Sequence, residues 1–259
     1  MMLFFVLLLA TLASPVASTS KKGIALCGAA FKCGDTHALS DTTWWYDWNP
    51  NTNEYYNSHC KQHVHGEYVP MIRTEHDLWT AKINPNSKHL LGFNEPNGQK
   101  HHLEPEKAAS LWKQLEKKYP KPILVGPGLT SCDTHPEWCI GWYEKFFKAC
   151  QGCRVNKIAV HAYHCEPYKI MQSLEKISKH FGGKKLWLTE FACETSYNID
   201  DNIRFMQTLV PLLEKAWFIE RYSWYCSRMR VSDKNHNWNL LNMDSPTLSR
   251  IGKAYNNIH

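Results

Sequence analysis

Two glutamates, Glu95 and Glu190, each close a short apolar run of this 259-residue chain, in the stretches LLGFNE and LWLTE. Paired carboxyls suit the hydrolysis of a glycosidic bond with retention of configuration. Set about 5 Å apart across the bond, one protonates the departing oxygen and the other attacks the anomeric carbon. Their surroundings must split the two pKa values so that one group stays protonated and the other ionised. Taken singly, each glutamate reads as a solvated strand end or a partner in an ion pair. Two at comparable positions argue for more.

The elements that would hold them are legible as alternation. Short apolar, β-branched or aromatic runs occur at Gly23 to Cys27, Thr42 to Trp48, Glu67 to Ile72, His89 to Glu95, Pro122 to Gly126, Lys157 to His164, Lys185 to Ala192 and Ile219 to Cys226. Helical patterns follow the fourth to seventh runs, with apolar residues three and four apart, and Gly182-Gly183 supplies a helix stop. Pro211 is expected to kink or shorten the last of these. A final helix is expected after a loop, capped by Ser245 with Pro246 at its first position. Strand and helix alternating eight times predict an α/β fold, a single (β/α)8 TIM barrel. In such a barrel reactive groups sit at the carboxyl ends of the strands, and Glu95 and Glu190 end the fourth and seventh.

Asn-Glu-Pro at the end of strand four and a glutamate at the end of strand seven resemble the glycoside hydrolases of clan A. The stretches WWYDWNP (Trp44 to Pro50), GFNEPN (Gly92 to Asn97), HAYH (His161 to His164) and WLTEFAC (Trp187 to Cys193) keep an order and spacing similar to the glycoside hydrolase catalytic core of family 128, a family of endo-β-1,3-glucanases. This resemblance runs from about Gly23 to the C-terminal helix. It implies that Glu95 is the acid/base, Glu190 the nucleophile and Asn94 the holder of the sugar 2-hydroxyl. It further implies that His161 and Tyr163, two apart and so on one face of strand six, point into the mouth of the barrel, with Tyr163 in reach of Glu190. Trp224 resembles the platform beneath the sugar being cleaved. The implied reaction is cleavage of β-1,3-glucan within its chains, with no cofactor. A glucan-binding protein without activity on the same scaffold is the alternative from another class.

Eleven Trp and twelve Tyr suit a polysaccharide partner, because sugars stack their C–H faces on aromatic rings. Alternate residues of a strand face opposite sides, so Trp44, Trp45, Tyr46 and Trp48 cannot all face inward, and Trp45 is the residue chosen for sugar contact. Trp79, Trp112, Trp142 and Trp217 lie in helical patterns and are expected in the core. His59, Cys60, His63 and His65 have the residue types of a zinc site. Against that reading, they precede strand three, Cys60 is expected in a disulfide and no HExxH helix is present, so no metal is assigned. No nucleotide-binding glycine loop and no GxSxG serine elbow occurs.

The net charge of +6 is spread over 30 basic and 24 acidic residues without a basic stripe, which gives nucleic acid no footprint. The opening MMLFFVLLLATLASPVAS has the pattern of a secretory signal peptide over residues 1–18, leaving 19–259 as one catalytic domain. Ten cysteines fit export to an oxidising compartment, and close spacing suggests the pairs Cys132–Cys139 and Cys150–Cys153. The expectation is a secreted protein with no membrane association once the leader is removed, and a monomer by default.

Overall fold

The computed structural model describes residues 21–27, 31–196, 198–229 and 238–259. The expected leader and part of the segment before the last helix lie outside the described residues. Eight parallel strands carry the fold: β1 (Lys22–Ala25), β2 (Trp44–Tyr46), β3 (Glu67–Tyr68), β4 (His89–Leu91), β5 (Ile123–Leu129), β6 (Lys157–Ala162), β7 (Leu186–Phe191) and β8 (Ile219–Tyr225). Their order is β3-β2-β1-β8-β7-β6-β5-β4. The sheet closes between its end strands through the residues after β3: Leu91 N–H donates to Pro70 O (3.0 Å), Ile72 N–H to Leu91 O (2.9 Å) and Asn94 N–H to Arg73 O (3.0 Å). The (β/α)8 barrel expected from the alternation is therefore the observed fold.

Helices α1 (Asp35–Ala38), α2 (Thr52–His59), α3 (Glu75–Thr80), α4 (Pro105–Lys118), α5 (Pro136–Ala149), α6 (Pro167–His180), α7 (Ile199–Lys215) and α8 (Arg250–Asn257) alternate with the strands. Three of them, α4 to α6, start on proline at the first turn, where its missing N–H costs nothing. Each buries a stripe at helical spacing, such as Leu111, Trp112 and Leu115 of α4. Gly182 and Gly183, at φ 69° and 78°, end α6 as expected. Pro211 does not shorten α7, which continues to Lys215. The expected cap at Ser245 is corrected: Leu248 is held extended by a bridge to Leu241, so α8 begins later, with the Ser249 hydroxyl accepting from Gly252 N–H (3.0 Å). Trp112 is buried as expected, whereas Trp79 and Trp217 are about half exposed.

Below the mouth, the barrel interior is filled by a polar floor. The Arg221 guanidinium lies over the rings of Trp187 (4.6 Å) and Trp44 (5.5 Å) and donates to Glu67 Oε2 (2.7 Å), whose other oxygen is 2.6 Å from His89 Nδ1. Each charge there has a partner, the condition under which buried charge is tolerated.

All ten cysteines are paired, as Cys27–Cys226, Cys33–Cys60, Cys132–Cys139, Cys150–Cys153 and Cys165–Cys193. The two close pairs suggested by spacing are among them, and Cys60 is bonded to Cys33. Among the described residues no helix is long and apolar enough to cross a membrane.

Candidate active site

Glu190 reaches the barrel interior because β7 carries one extra residue. Val160 pairs with Leu188, yet the next pair is His161 with Glu190, so Thr189 is inserted in the ladder. The same surplus appears against β8, where Leu188 pairs with Tyr222 and Phe191 with Trp224. With Trp187 inward and strict alternation, Glu190 would face the helices. The bulge turns it inward beside His161, an established use of such irregularities.

Glu95 is held by a different device. Strand β4 ends at Leu91, but Gly92 N–H donates to Val125 O (2.8 Å) and Glu95 N–H to Gly128 O (2.7 Å), so the chain stays clamped against β5. Glu95 has φ 49° and Trp48 has φ 58°, two of only three non-glycine residues in the left-handed region among those described. That conformation costs about 1 kcal/mol or more and persists where surrounding bonds over-determine it. Asn97 adds a second clamp, its amide exchanging bonds with Thr130 O (2.9 Å) and Thr130 N–H (3.0 Å).

The two carboxyls meet across His161. Its ring is fully buried, with Nδ1 2.9 Å from Glu95 Oε1 and 3.5 Å from Glu190 Oε2. One oxygen from each glutamate and this nitrogen all lie within 4.8 Å of one another. Because an ionised carboxyl only accepts, Nδ1 carries the hydrogen. Burial opposes charge on the imidazole, but Glu190, Glu95 and Asp133 outweigh it and raise the His161 pKa. Burial likewise pushes Glu95 up, and the His161 bond and charge, with Thr130 and His101, outweigh it and hold the carboxyl below its ordinary range.

Glu190 is the deeper of the pair, its side chain 5% exposed against 26% for Glu95. Donors face it: Trp48 Nε1 (2.8 Å) to Oε1 and Tyr163 OH to Oε2, while Tyr46 OH, whose shorter bond is to Thr189 O (2.9 Å), lies 3.4 Å from Oε1. Burial first, and then Glu190 itself, lift the phenols of Tyr46 and Tyr163 well above their usual pKa, so both remain donors. Asp133 fixes the other end of this arrangement by accepting the Tyr163 and His164 amides, each at 2.7 Å.

A cavity of about 250 Å³ opens over the pair. Asn94, Glu95 and Glu190 reach it, with Asn94 Oδ1 buried and without a protein partner. Trp48 and Tyr225 border it on the β8–β2 arc, and Arg73, Lys100 and His101 on the β3–β4 arc.

Of the residues singled out from sequence, Glu95, Glu190, Asn94, His161 and Tyr163 come together here. Trp45 and Trp224 do not. Trp45 is 1% exposed and packs against Tyr56 of α2 and Tyr68 on the outer side of the sheet. Trp224 is fully buried among Phe191, Phe205 and Tyr255, under α7 and α8. Both have the outward parity of their strands. Trp224 nevertheless donates from Nε1 to Trp238 O (2.7 Å), bringing Trp238 beside Tyr163 and Tyr225. The aromatics that reach the site, Tyr46, Trp48 and Tyr225, are one position away in parity from those chosen. The run Trp44, Tyr46, Trp48 at period two was the available signal. Nothing local in the sequence marked Arg73 or Lys100.

The barrel, the two strand-end glutamates and the open mouth define a glycosidase scaffold, and the chain belongs to the glycosyl hydrolase catalytic core family, whose model matches residues 23–255. It is similar to a family 128, subgroup II, endo-β-1,3-glucanase from Sorangium cellulosum, at 28% identity and TM-score 0.77 over 92% of this chain and 98% of that one. The corresponding enzyme of Pseudomonas viridiflava gives 25% identity and TM-score 0.71 over 93% and 98%. A curdlan-specific exo-β-1,3-glucanase of subgroup III from Blastomyces gilchristii shares the fold, with 24% identity and TM-score 0.73 over 92% of this chain and 98% of that one. Alkali-sensitive linkage protein 1 of Schizosaccharomyces pombe is 25% identical over 249 residues, 92% of this chain and 44% of that protein. The chain thus spans less than half the length of that relative.

Proposed function

We propose that this chain is a secreted retaining hydrolase of β-1,3-glucan that cuts within chains. The observation that carries the reading is the approach of Glu95 and Glu190, one oxygen of each lying within 4.8 Å of the other beside His161, a proximity in keeping with the roughly 5 Å between the carboxyls of a retaining pair. The endo-β-1,3-glucanases named above, similar over nearly the whole chain, support the substrate class.

Glu190 attacks the anomeric carbon as Glu95 gives its proton to the departing oxygen, and a glycosyl ester forms on Glu190. Glu95, now a carboxylate, takes a proton from water, which attacks the same carbon and returns Glu190 as a carboxylate. Tyr163, Trp48 and Tyr46 favour the second step, because their donors stabilise the carboxylate that leaves. Asn94 Oδ1, buried without a partner, accepts the sugar 2-hydroxyl. The low carboxyl of Glu95 suits its half-reaction as a base. Its half-reaction as an acid needs the proton shared with His161 to reside on Glu95 once substrate covers the site.

The signal-peptide pattern read in the sequence over residues 1–18 and the five disulfides support secretion, with 19–259 as a single catalytic domain. Incubation with laminarin, with and without chelator, beside Glu95→Gln and Glu190→Gln, tests the reading. Hydrolysis that survives the chelator, is lost in both variants and yields the β-anomer first is the expected result. Wild-type protein that binds laminarin without shortening it would sink the enzyme reading. Chelator-sensitive hydrolysis would recast Glu95, His161 and Glu190 as metal ligands.

A further inference from the structure

The cavity is chemically lopsided. Around Glu190 it offers rings and neutral donors, whereas around Glu95 it offers Arg73, Lys100 and His101, three side chains from the segments after β3 and β4. None of the three has a hydrogen-bond or ion-pair partner among the described residues. They are close enough to interact: burial first, then Arg73 and Lys100, lower the His101 pKa, against the pull of Glu95 and Asp77. The nearby acid Asp77 is committed elsewhere, its Oδ2 accepting both the Thr74 amide (2.8 Å) and hydroxyl (3.0 Å) in the cap of α3. Glu95 is thus the one carboxylate these cations share the cavity with on their own arc.

A neutral glucan gives them only hydroxyls to meet. Hydroxyls accept from arginine and lysine, but they leave the positive charge uncompensated as substrate displaces water, and desolvated charge without a counterion is costly. The same charge is unhelpful to a general acid, since cations beside a carboxyl favour its ionised form. An oxyanion against Arg73, Lys100 and His101 removes both difficulties. It neutralises the wall and lets Glu95 keep its proton.

We propose that the Glu95 side of the cleft is a binding site for an oxyanion, a carboxylate or phosphate carried on the sugar that departs, so that acidic β-1,3-glucan is preferred to neutral. The location of the leaving sugar rests on Glu95 being the acid of the proposed reaction.

The test compares laminaripentaose with laminaripentaose oxidised to carboxylates at its primary alcohols. Binding of each to Glu190→Gln protein is measured by calorimetry, and wild-type hydrolysis of the neutral pentaose is measured separately. Neutral hydrolysis therefore judges the glucanase reading, and binding judges the anion site. The oxidised sugar is expected to bind about tenfold more tightly at about 0.02 M salt, with the advantage shrinking at about 0.5 M. The advantage is also expected to fall toward one in Lys100→Gln, an exposed position where folding is not at stake, and further with Arg73→Gln added. Inorganic phosphate competing with the oxidised sugar confirms the site. Phosphate that instead strengthens binding of the neutral sugar makes a free ion the occupant and overturns the preference for acidic glucan. Equal or weaker binding of the oxidised sugar, or a preference unchanged in Lys100→Gln with Arg73→Gln, overturns the proposal.

Discussion

Tyr163→Phe removes one hydroxyl and leaves the ring between Tyr225 and Trp238, so the fold should hold while the chemistry suffers. The size of the loss follows from how the donors around Glu190 are shared. Trp48 and Tyr46 both serve Oε1. Among the described residues Oε2 has Tyr163 and, beyond it, only His161 Nδ1 at 3.5 Å, too long for a good bond. Without Tyr163 that oxygen is stripped, and with the side chain 5% exposed little water can replace the hydroxyl. A hydrogen bond to a buried charge contributes about 1.5–3 kcal/mol. The poor substitutes place this loss in the upper half of that range, a fall of about 45- to 160-fold in kcat/KM. Tyr46→Phe is the internal control. Its bond to Oε1 is long, and Trp48 still serves that oxygen, so a loss of less than about fivefold is expected. Initial rates of reducing-sugar release from laminarin, with melting temperatures for each variant, decide the matter. Tyr163→Phe within about threefold of wild type, or Tyr46→Phe as damaging as Tyr163→Phe, would refute the assignment of Glu190 as the group whose charge these phenols serve.

His161→Gln removes the chief group holding the Glu95 carboxyl down, so the high-pH limb of the activity profile should move to higher pH while kcat falls; an unmoved limb would contradict the coupling. The folded His161 pKa lies above its ordinary 6.5, so its stabilisation is fully present below that value and lost as pH rises through the folded pKa. Urea unfolding should accordingly find His161→Gln most destabilised below about pH 6.5 and less so above it. Arg228 donates two hydrogen bonds to the Asp35 carboxylate, each at 2.8 Å, in a fully buried bidentate ion pair, and Asp35→Asn should cost about 3–5 kcal/mol in the same assay, with Asp35→Leu plus Arg228→Met recovering much of it. Loss of Cys27–Cys226, which spans 199 positions, should cost about 5 kcal/mol on the chain-entropy account, against about 2 kcal/mol for Cys150–Cys153, which spans 3. Paired Cys→Ser variants that reverse this order would show that native contacts, rather than chain closure, set the effect.

Strand existence was legible because buried parallel strands read as apolar runs, and each of the eight runs overlaps a strand. Glu95 and Glu190 stood out because a charge at the end of such a run is conspicuous. Parity was the harder quantity. A strand of three residues such as β2 gives too few positions to fix which face is inner, so alternation alone does not separate Trp45 from Tyr46 and Trp48. In β8 the largest ring, Trp224, drew attention, yet the inward positions hold Arg221, Ser223 and Tyr225, as suits a barrel whose outer face is covered by apolar helices. The Thr189 bulge was invisible, because an inserted residue leaves no mark in composition, and it alone decides which way Glu190 points. Arg73 and Lys100 escaped because they stand in loops, where only the closed barrel determines neighbours.

The cysteines were legible as disulfides but not as parts of the site, where they brace the loops that follow the strands around Glu190. Cys165 lies two residues after Tyr163 and bonds to Cys193, three after Glu190, so one bridge ties the ends of β6 and β7 behind that pair. Cys226 follows Tyr225 directly and is tied to Cys27 beyond β1. Cys132 adjoins Asp133, whose carboxylate accepts the Tyr163 and His164 amides. These loops lie beyond the apolar core that fixes the strands, and loops with few buried contacts are where a fold opens first. Glu95 has no such bridge. Its clamps are the amide to Gly128 and the Asn97 bonds to Thr130, which hydrogen bonding alone maintains. The deep carboxyl of Glu190 is thus flanked by covalent links, while the more exposed one of Glu95, proposed to give and take a proton in turn, is held by hydrogen bonds able to adjust.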